Sequence, residues 1–173
     1  MAITNVDQFR TAFKGVRSNR YIITGIGPQG VGTLPEFTLY AKATSFPGSA
    51  IGMIPVSYQG RIIKFSGERS FGEWAIQVYD SSADSNSMRL YFEKWINAMD
   101  DHFTHDINYN LCAPTWTVSY DQGATTTSTS YNKTMTMSNV WPVDISPIDL
   151  SYESVDSFAE FTLTLAYDHH AMV

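Results

Sequence analysis

The sequence has little charge and no run of basic residues. Charged residues make up 16% of the 173, and 17 acidic residues against 11 basic ones give a net charge of −6. An ordinary free domain carries about 25% charged residues. A protein that grips nucleic acid by its phosphates needs a basic stripe, so the composition argues against that class. The shortage of charge indicates that a partner covers part of the surface.

Cysteine and long apolar segments are scarce as well. The single cysteine, Cys112, excludes an intramolecular disulfide and fits assembly in a reducing cytoplasm. No apolar run approaches the ~18 residues of a membrane span, and residues 1–10 lack the charged and apolar regions of a signal peptide. We therefore expect a protein made in the cytoplasm without a membrane anchor.

Apolar and aromatic residues are abundant and follow strand-like patterns. They make up 43% and 14% of the chain, enough for a single domain over residues 1–173. Folding a domain of this length buries about 70% of its unfolded surface. Apolar residues that alternate with polar ones predict half-buried strands. The predicted strands are 21–24, 36–42, 53–58, 61–66, 74–79, 115–120, 133–140, 148–152 and 160–167.

One segment predicts a long amphipathic helix. Residues 86–99 carry a single apolar stripe, with Asp84 or Ser85 as candidate N-caps. A short helix over 5–13 is possible, and the polar tract 121–132 is predicted to be the tip of a long hairpin. Several strands before any long helix argue against a parallel sheet. The predicted fold is mainly β, an antiparallel sandwich or barrel with one packed helix.

The hairpin within 46–66 is the most informative segment. A loop marked by proline and glycine leads into two β-prone strands joined at Gln59 and Gly60, and both faces of the hairpin read as apolar. Strands of this kind at a sheet edge recruit other chains, because their backbone groups are unpaired. We expect the hairpin to pair with copies of the same protein.

The catalytic patterns in the sequence favour a structural interpretation. Residues 25–30 match G-x-G-x-x-G after a strand, but Pro28 interrupts the loop and no helix begins there, so we expect a flexible loop. Cys112 has no activating surroundings and is expected to be packed. No nucleophile-elbow sequence G-x-S-x-G occurs. The sequence therefore predicts no enzyme and no cofactor.

Two histidine pairs provide the alternative enzyme hypothesis, a metal-dependent hydrolase. His102 and His105 lie among aspartates, and His169 and His170 follow another. Imidazoles three residues apart can share a metal on one helix face. However, the helical stripe ends near Met99, and chain ends fray, so we expect solvated histidines and no metal site.

The sequence predicts that three of the four tryptophans lie in the core and that the fourth lies at a bulge or an edge. Trp74, Trp95 and Trp116 fall on apolar-periodic faces, which predicts core packing. Trp141 is the exception because Pro142 follows it, and proline cannot donate to a central ladder. This position is therefore expected at a bulge or an edge, where an aromatic side chain suits a contact between subunits as well as a contact with a ligand.

Taken in order, several stretches resemble the tail tube proteins of contractile-tailed bacteriophages. The resemblance runs from about residue 5 to 168 and depends on the order and spacing of these stretches, while the tract 121–132 is the least similar part. The stretches are Phe9-Arg10 with Phe13, RSNRY at 17–21, FPG at 46–48, YQGR at 58–61, Arg89 with Phe92 and Trp95, VWP at 140–142, and FTLTLAYD at 161–168.

The resemblance implies a structural virion protein with a sandwich or barrel fold and one helix. Its homohexameric rings stack into the inner tube of the phage tail, with the loop 44–52 expected to reach the next ring, and genomic DNA passes through the lumen without specific binding. The implied partners are further copies of the chain, the tail sheath protein, the baseplate initiator and the tape measure protein. Two alternatives share the fold: a baseplate tube initiator or hub, and the tube subunit of a bacterial contractile injection system.

Two sets of residues are predicted to serve the tube. Small hydroxyls and scattered charge in a channel would hold DNA weakly, because each phosphate-binding lysine adds affinity and drag. The candidate contacts between subunits are Phe46, Pro47, Gly48, Trp141 and Pro142. The candidates for the channel surface, inferred from strand alternation, are Ser57, Gln59, Lys64, Ser66, Thr134, Thr136 and Ser138.

Overall fold

The computed structural model describes residues 6–12, 18–34, 36–81, 87–120, 133–152 and 157–172. Within these ranges no helix is both long and apolar enough to cross a membrane. The elements in chain order are α1 Val6–Ala12, β1 Tyr21–Gly25, α2 Phe37–Tyr40, β2 Ala41–Thr44, β3 Ser49–Tyr58, β4 Arg61–Phe71, β5 Trp74–Tyr79, α3 Met88–Met99, β6 Ala113–Tyr120, β7 Lys133–Ile145, β8 Glu160–Ala166 and β9 His169–Met172.

The body of the protein is an antiparallel sandwich whose two sheets share the long strand β7. The first half of β7 pairs with β6 and β9, and β6 pairs in turn with β1. The second half of β7 pairs with β8, which continues to β5 and β2. The strand order β1-β6-β7-β8-β5-β2 does not close on itself. The prediction of an antiparallel β fold is confirmed, as an open sandwich and not as a closed barrel.

Aromatic rings fill the space between the sheets and α3. Trp74, Trp95 and Trp116 are fully buried, as their positions on apolar faces predict. Phe37 contacts Trp116 edge to face at 5.0 Å, and Phe92 of α3 stacks on Trp95 at 6.0 Å between ring centroids. Edge-to-face pairs stabilise a core beyond the area that they bury. The helix therefore closes one side of the sandwich.

The helix α3 begins two residues later than its predicted start, with a different cap. Ser87 has extended backbone angles, and its Oγ accepts a hydrogen bond from the amide of Leu90 at 3.2 Å. The same hydroxyl donates to Asp80, whose carboxylate also accepts from the amide of Arg89. The predicted caps Asp84 and Ser85 lie outside the described residues.

Replacement of Ser87 by alanine tests this cap. Ser87→Ala leaves the first-turn amide without its acceptor, which costs about 1 kcal/mol. For a chain of this length the loss lowers the melting temperature by roughly 2–4 °C, measured by thermal unfolding. Ser87→Thr, which keeps the hydroxyl, is the matched control and should stay near the parent value. An equal loss in both variants would contradict the capping role.

Residues 36–42 were expected to form one alternating strand, and this prediction is wrong. Phe37–Tyr40 forms the short helix α2, and the strand β2 begins only at Ala41. The turn of helix buries Phe37 among the core rings while Leu39, which alternation placed inward, is 72% exposed. The hydroxyl of Thr38 donates to the carbonyl of Ile23, so the helix also covers the edge of β1.

Other boundaries differ as well. Residues 148–152 form no strand, and Tyr152 is fully exposed. His169–Met172, expected to fray, is the strand β9 because its backbone pairs with β7. The loop expected over 44–52 is shorter, since β3 already starts at Ser49. The tract 121–132 lies outside the described residues.

Candidate self-assembly interface

The strands β3 and β4 form a separate two-stranded sheet. Within the described part of the chain they pair with each other and with no other strand. Every residue of β3 is exposed, and eight large apolar side chains of the hairpin keep 43–66% of their surface in water. A lone two-stranded hairpin is marginally stable in water, and large exposed apolar patches mark interaction sites. The hairpin therefore has the properties of half of an interface.

The turn of the hairpin is a tight two-residue loop, as the sequence predicts. Gln59 and Gly60 connect Tyr58 to its cross-strand partner Arg61, and both have positive φ, 48° and 77°. Two positive φ angles in succession define the turn whose twist matches that of paired strands. Glycine adopts such angles without strain, which fixes the register of the whole hairpin.

The register gives the hairpin two different faces. Cross-strand partners point to the same side of a sheet, so Ile54 with Phe65 and Val56 with Ile63 make one continuous apolar face. The opposite face is mixed, and the expectation of two apolar faces is wrong. Its residues are Met53, Pro55, Ser57, Ile62, Lys64 and Ser66.

The root of the hairpin contacts the body through the ring of Phe71. Phe71, the last residue of β4, lies 4.9 Å from His170 and 6.2 Å from Tyr167 between ring centroids. The guanidinium of Arg69 lies over the Phe71 ring at 5.1 Å. Burial, and then the nearby charge of Arg69, lower the pKa of His170, which favours the neutral imidazole. The arm is thus fixed at its base by an aromatic cluster next to β9.

The residues predicted to contact neighbouring subunits are partly engaged within their own chain. Phe46 is half-buried and packs edge to face on Tyr120 at 4.8 Å, Pro47 is buried, and Gly48 is exposed. Trp141 is half-buried, and the register of β7 against β8 shifts just after Pro142, at the kind of irregularity that the proline predicts. Their role between subunits stays a prediction.

The predicted channel residues fall on two surfaces. Ser57, Lys64 and Ser66 lie together on the mixed face of the hairpin, with Gln59 at its turn. The other three, Thr134, Thr136 and Ser138, alternate with buried methionines along β7 and point away from the core.

Sequence reasoning missed the neighbours that complete this second surface. Thr115, Thr117 and Ser119 of β6 and Thr24 of β1 share the outer face with the β7 hydroxyls, in direct register. Ser119 and Thr134 are hydrogen-bonded at 2.9 Å. The alternation of β6 was visible in the sequence, but its pairing with β7 was not. The result is a hydroxyl-rich face of the sandwich.

Two of the glycines of residues 25–30 are needed for close packing. A side chain at Gly25 would meet the ring of Trp116 at 2.4 Å, and one at Gly27 would meet the hydroxyl of Tyr91 at 1.9 Å. That hydroxyl is buried, and burial raises the pKa of Tyr91 to about 12. The segment runs from the last residue of β1 into a loop, and no helix begins within it, as the dinucleotide-binding motif would require.

The histidines and the cysteine are not brought together. In the described residues no three side chains of the metal-binding types converge. His102 and His105 are exposed on a turn that Asp101 fixes by accepting from the amide of Phe103 and the hydroxyl of Thr104, and these hydrogen bonds lower the pKa of Asp101. Burial raises the pKa of the Cys112 thiol, which disfavours a reactive thiolate.

The chain matches a known family over nearly its whole length. The profile of the family described as "Phage tail tube protein" matches residues 8–173. The chain belongs to this family, which confirms the resemblance, and it is a structural tail tube protein of the kind found in contractile phage tails.

Individual relatives give the same result at low identity. The chain is 25% identical to the tail tube protein gp19 of Enterobacteria phage T4 over 137 residues, covering 78% of this chain and 80% of that protein. It is 24% identical to the tail tube protein of Serratia phage KSP90, covering 95% of each. Its fold is also similar to that of the sheath/tube terminator of an extracellular contractile injection system, with a TM-score of 0.67 at 16% identity, covering 94% and 99% of the two chains.

Proposed function

We propose that this chain is the repeating subunit of a phage tail tube. Homohexameric rings stack into the inner tube, and the lumen conducts genomic DNA into the host during ejection. The role is structural, without catalysis or a cofactor. The partners are further copies of the chain, the tail sheath protein, the baseplate initiator and the tape measure protein, with assembly in the host cytoplasm.

The unpaired hairpin carries this proposal. Its apolar face is exposed, and among the described residues neither outer edge of its two strands pairs with another strand. Pairing with neighbouring copies would remove these edges and bury the apolar face. Obligate interfaces of this type exceed roughly 2,000 Å² and are apolar, which agrees with the low charge of the chain.

The hydroxyl-rich surfaces support a channel for DNA. The mixed face of the hairpin contains Lys64, and the hydroxyl-rich face formed by β6 and β7 is dominated by threonine and serine. With a net charge of −6, the protein offers DNA few attractive contacts. A polyanion passes such a surface without being held.

Electron microscopy of the purified protein tests the proposal directly. Negative staining should show annular particles or tubes formed by this chain alone. A monodisperse monomer at high concentration would contradict it. An initiator or hub of the same fold would form short rings that do not polymerise, so tube length separates the two roles. The fold also occurs in a sheath/tube terminator, which is why this distinction needs an experiment.

Two aromatic substitutions test the predicted contact residues. Phe46→Ala and Trp141→Ala should leave folded subunits, because both side chains are half-buried at the periphery of the core. Loss of an interface hot spot costs about 2 kcal/mol, so each interface should weaken roughly 30-fold and tubes should shorten or disappear. Tyr152→Ala, which removes a fully exposed ring elsewhere, is the control. Tubes of normal length from both variants would refute the assignment.

A further inference from the structure

An apolar recess opens at one end of the sandwich, next to the root of the hairpin. Its volume is about 420 Å³, within the range of roughly 300–1,000 Å³ that binding pockets occupy. Two other recesses of comparable size are less apolar: one mixes Trp141 and Met99 with Asn139 and Asp168, and the other, with Asp149 and Glu160, is mainly polar. The principal lining residues of the apolar recess are Tyr21, Thr44, Phe46, Val118, Tyr120 and Met172.

The path of the chain shows that a protomer cannot fill this recess with its own hairpin tip. Phe46 lines the recess three residues before β3 begins, and β4 ends at Phe71 against His170, two residues from Met172. The hairpin therefore leaves from the rim of the recess. Ten paired residues carry the turn about 30 Å away. An antiparallel pair of this length is too stiff to fold back on itself.

The turn end of the hairpin carries exposed apolar side chains that an apolar recess can bury. Tyr58 and Ile63 lie on the apolar face and Ile62 on the other, and Tyr58 and Ile62 are each more than 60% exposed. The recess offers aromatic walls from Tyr21 and Tyr120, which suit a ring. In one chain the turn and the recess lie too far apart to touch. A contact between them therefore requires two copies of the chain.

We propose that this recess receives the turn end of the hairpin of a second copy, with Tyr58 as the inserted side chain. The proposal rests on the self-assembly proposed above and identifies the surface that accepts the hairpin. Each copy then has one donor and one acceptor surface. Contacts between two different surfaces repeat from copy to copy and close into a ring or extend as a tube.

A mixing experiment tests the pairing. Tyr58→Glu disables the donor and Met172→Glu disables the acceptor, and both positions are more than half exposed, so each variant should fold. Each variant alone should be monomeric by sedimentation velocity. A 1:1 mixture should form dimers and nothing larger, because one intact hairpin meets one intact recess. Leu150→Glu, a charge at an exposed apolar position outside both surfaces, should assemble like the parent.

The other outcomes each overturn a defined statement. If the parent chain stays monomeric, both the tube function and this inference fail. If the parent assembles but Met172→Glu assembles equally well, the recess is not the acceptor surface and the inference alone fails. A monomeric mixture, or one that forms full rings, also contradicts donor and acceptor surfaces that differ.

Disulfide trapping supplies a second test if one interface alone is too weak to detect. In a Cys112→Ser background, Tyr58→Cys and Met172→Cys in the same chain should give a ladder of linked oligomers on oxidation. Met172→Cys alone should give no ladder. Dimers formed by Tyr58→Cys alone would show that hairpins meet each other, which would overturn the proposal.

Discussion

Val56→Glu is expected to convert the assembling protein into a folded monomer. Val56 lies in the middle of the apolar face of the hairpin and is 43% exposed in the isolated chain, so the fold tolerates the charge. In an assembly the carboxylate would be buried without a partner, at a cost of about 3 kcal/mol or more per interface. That cost raises each dissociation constant by more than about 100-fold. Sedimentation should give a single species near 19.4 kDa.

Ser66→Glu is the matched control, because it places the same charge on the mixed face, farther from the turn. There the carboxylate stays in water in the proposed channel, so assembly should persist. Tubes of normal length from Val56→Glu would show that the apolar face is not the interface. Loss of tubes from both variants would mean that the two faces are buried alike.

The strands of the sandwich could be predicted where burial alternates with polarity. Trp74–Tyr79 was predicted with its exact bounds, and Glu160–Ala166 to within one residue, because one face of each strand lies in the core and the other outside. The hairpin turn at Gln59 and Gly60 was visible for a local reason, since glycine permits the required φ. Local rules were sufficient for these elements.

Elements fixed by distant contacts could not be predicted. Phe37 fits an alternating strand as well as a turn of helix, and only the rings of Phe92 and Trp116 decide between them. The strand His169–Met172 has no apolar pattern of its own and exists because β7 leaves an edge for it. Its histidines were considered as metal ligands, whereas His170 packs on Phe71.

The candidate interface could be predicted only in part, because some of it is local in sequence and some depends on the folded register. Its apolar hairpin is continuous in sequence, so composition alone indicated self-association. The bulge between Ile51 and Met53 and the pairing that follows it determine which side chains share a face, and these are properties of the folded register. The recess gathers residues as far apart as Tyr21 and Met172, so no local signal could reveal it.

Gly25→Ala is expected to cause a large loss of stability through a single added methyl group. An ideal Cβ at Gly25 would lie 2.4 Å from the Trp116 ring, well inside contact distance. That ring cannot move aside, because it is fully buried, contacts Phe37 at 5.0 Å and donates from Nε1 to the carbonyl of Ile26. Overpacking of this kind costs about 3 kcal/mol. The melting temperature should fall by roughly 6–12 °C.

The measurement belongs in the monomeric Val56→Glu background, because association would otherwise raise the apparent stability. Gly72→Ala is the matched control: its Cβ would meet nothing within 4 Å, so its effect should stay within about 1 kcal/mol. Trp116→Leu makes room for the methyl group, and Gly25→Ala should cost much less in that background, since contacting residues couple by about 0.5–3 kcal/mol. Equal losses for Gly25→Ala and Gly72→Ala would mean that Trp116 is free to shift, and the rigid aromatic core inferred here would be wrong.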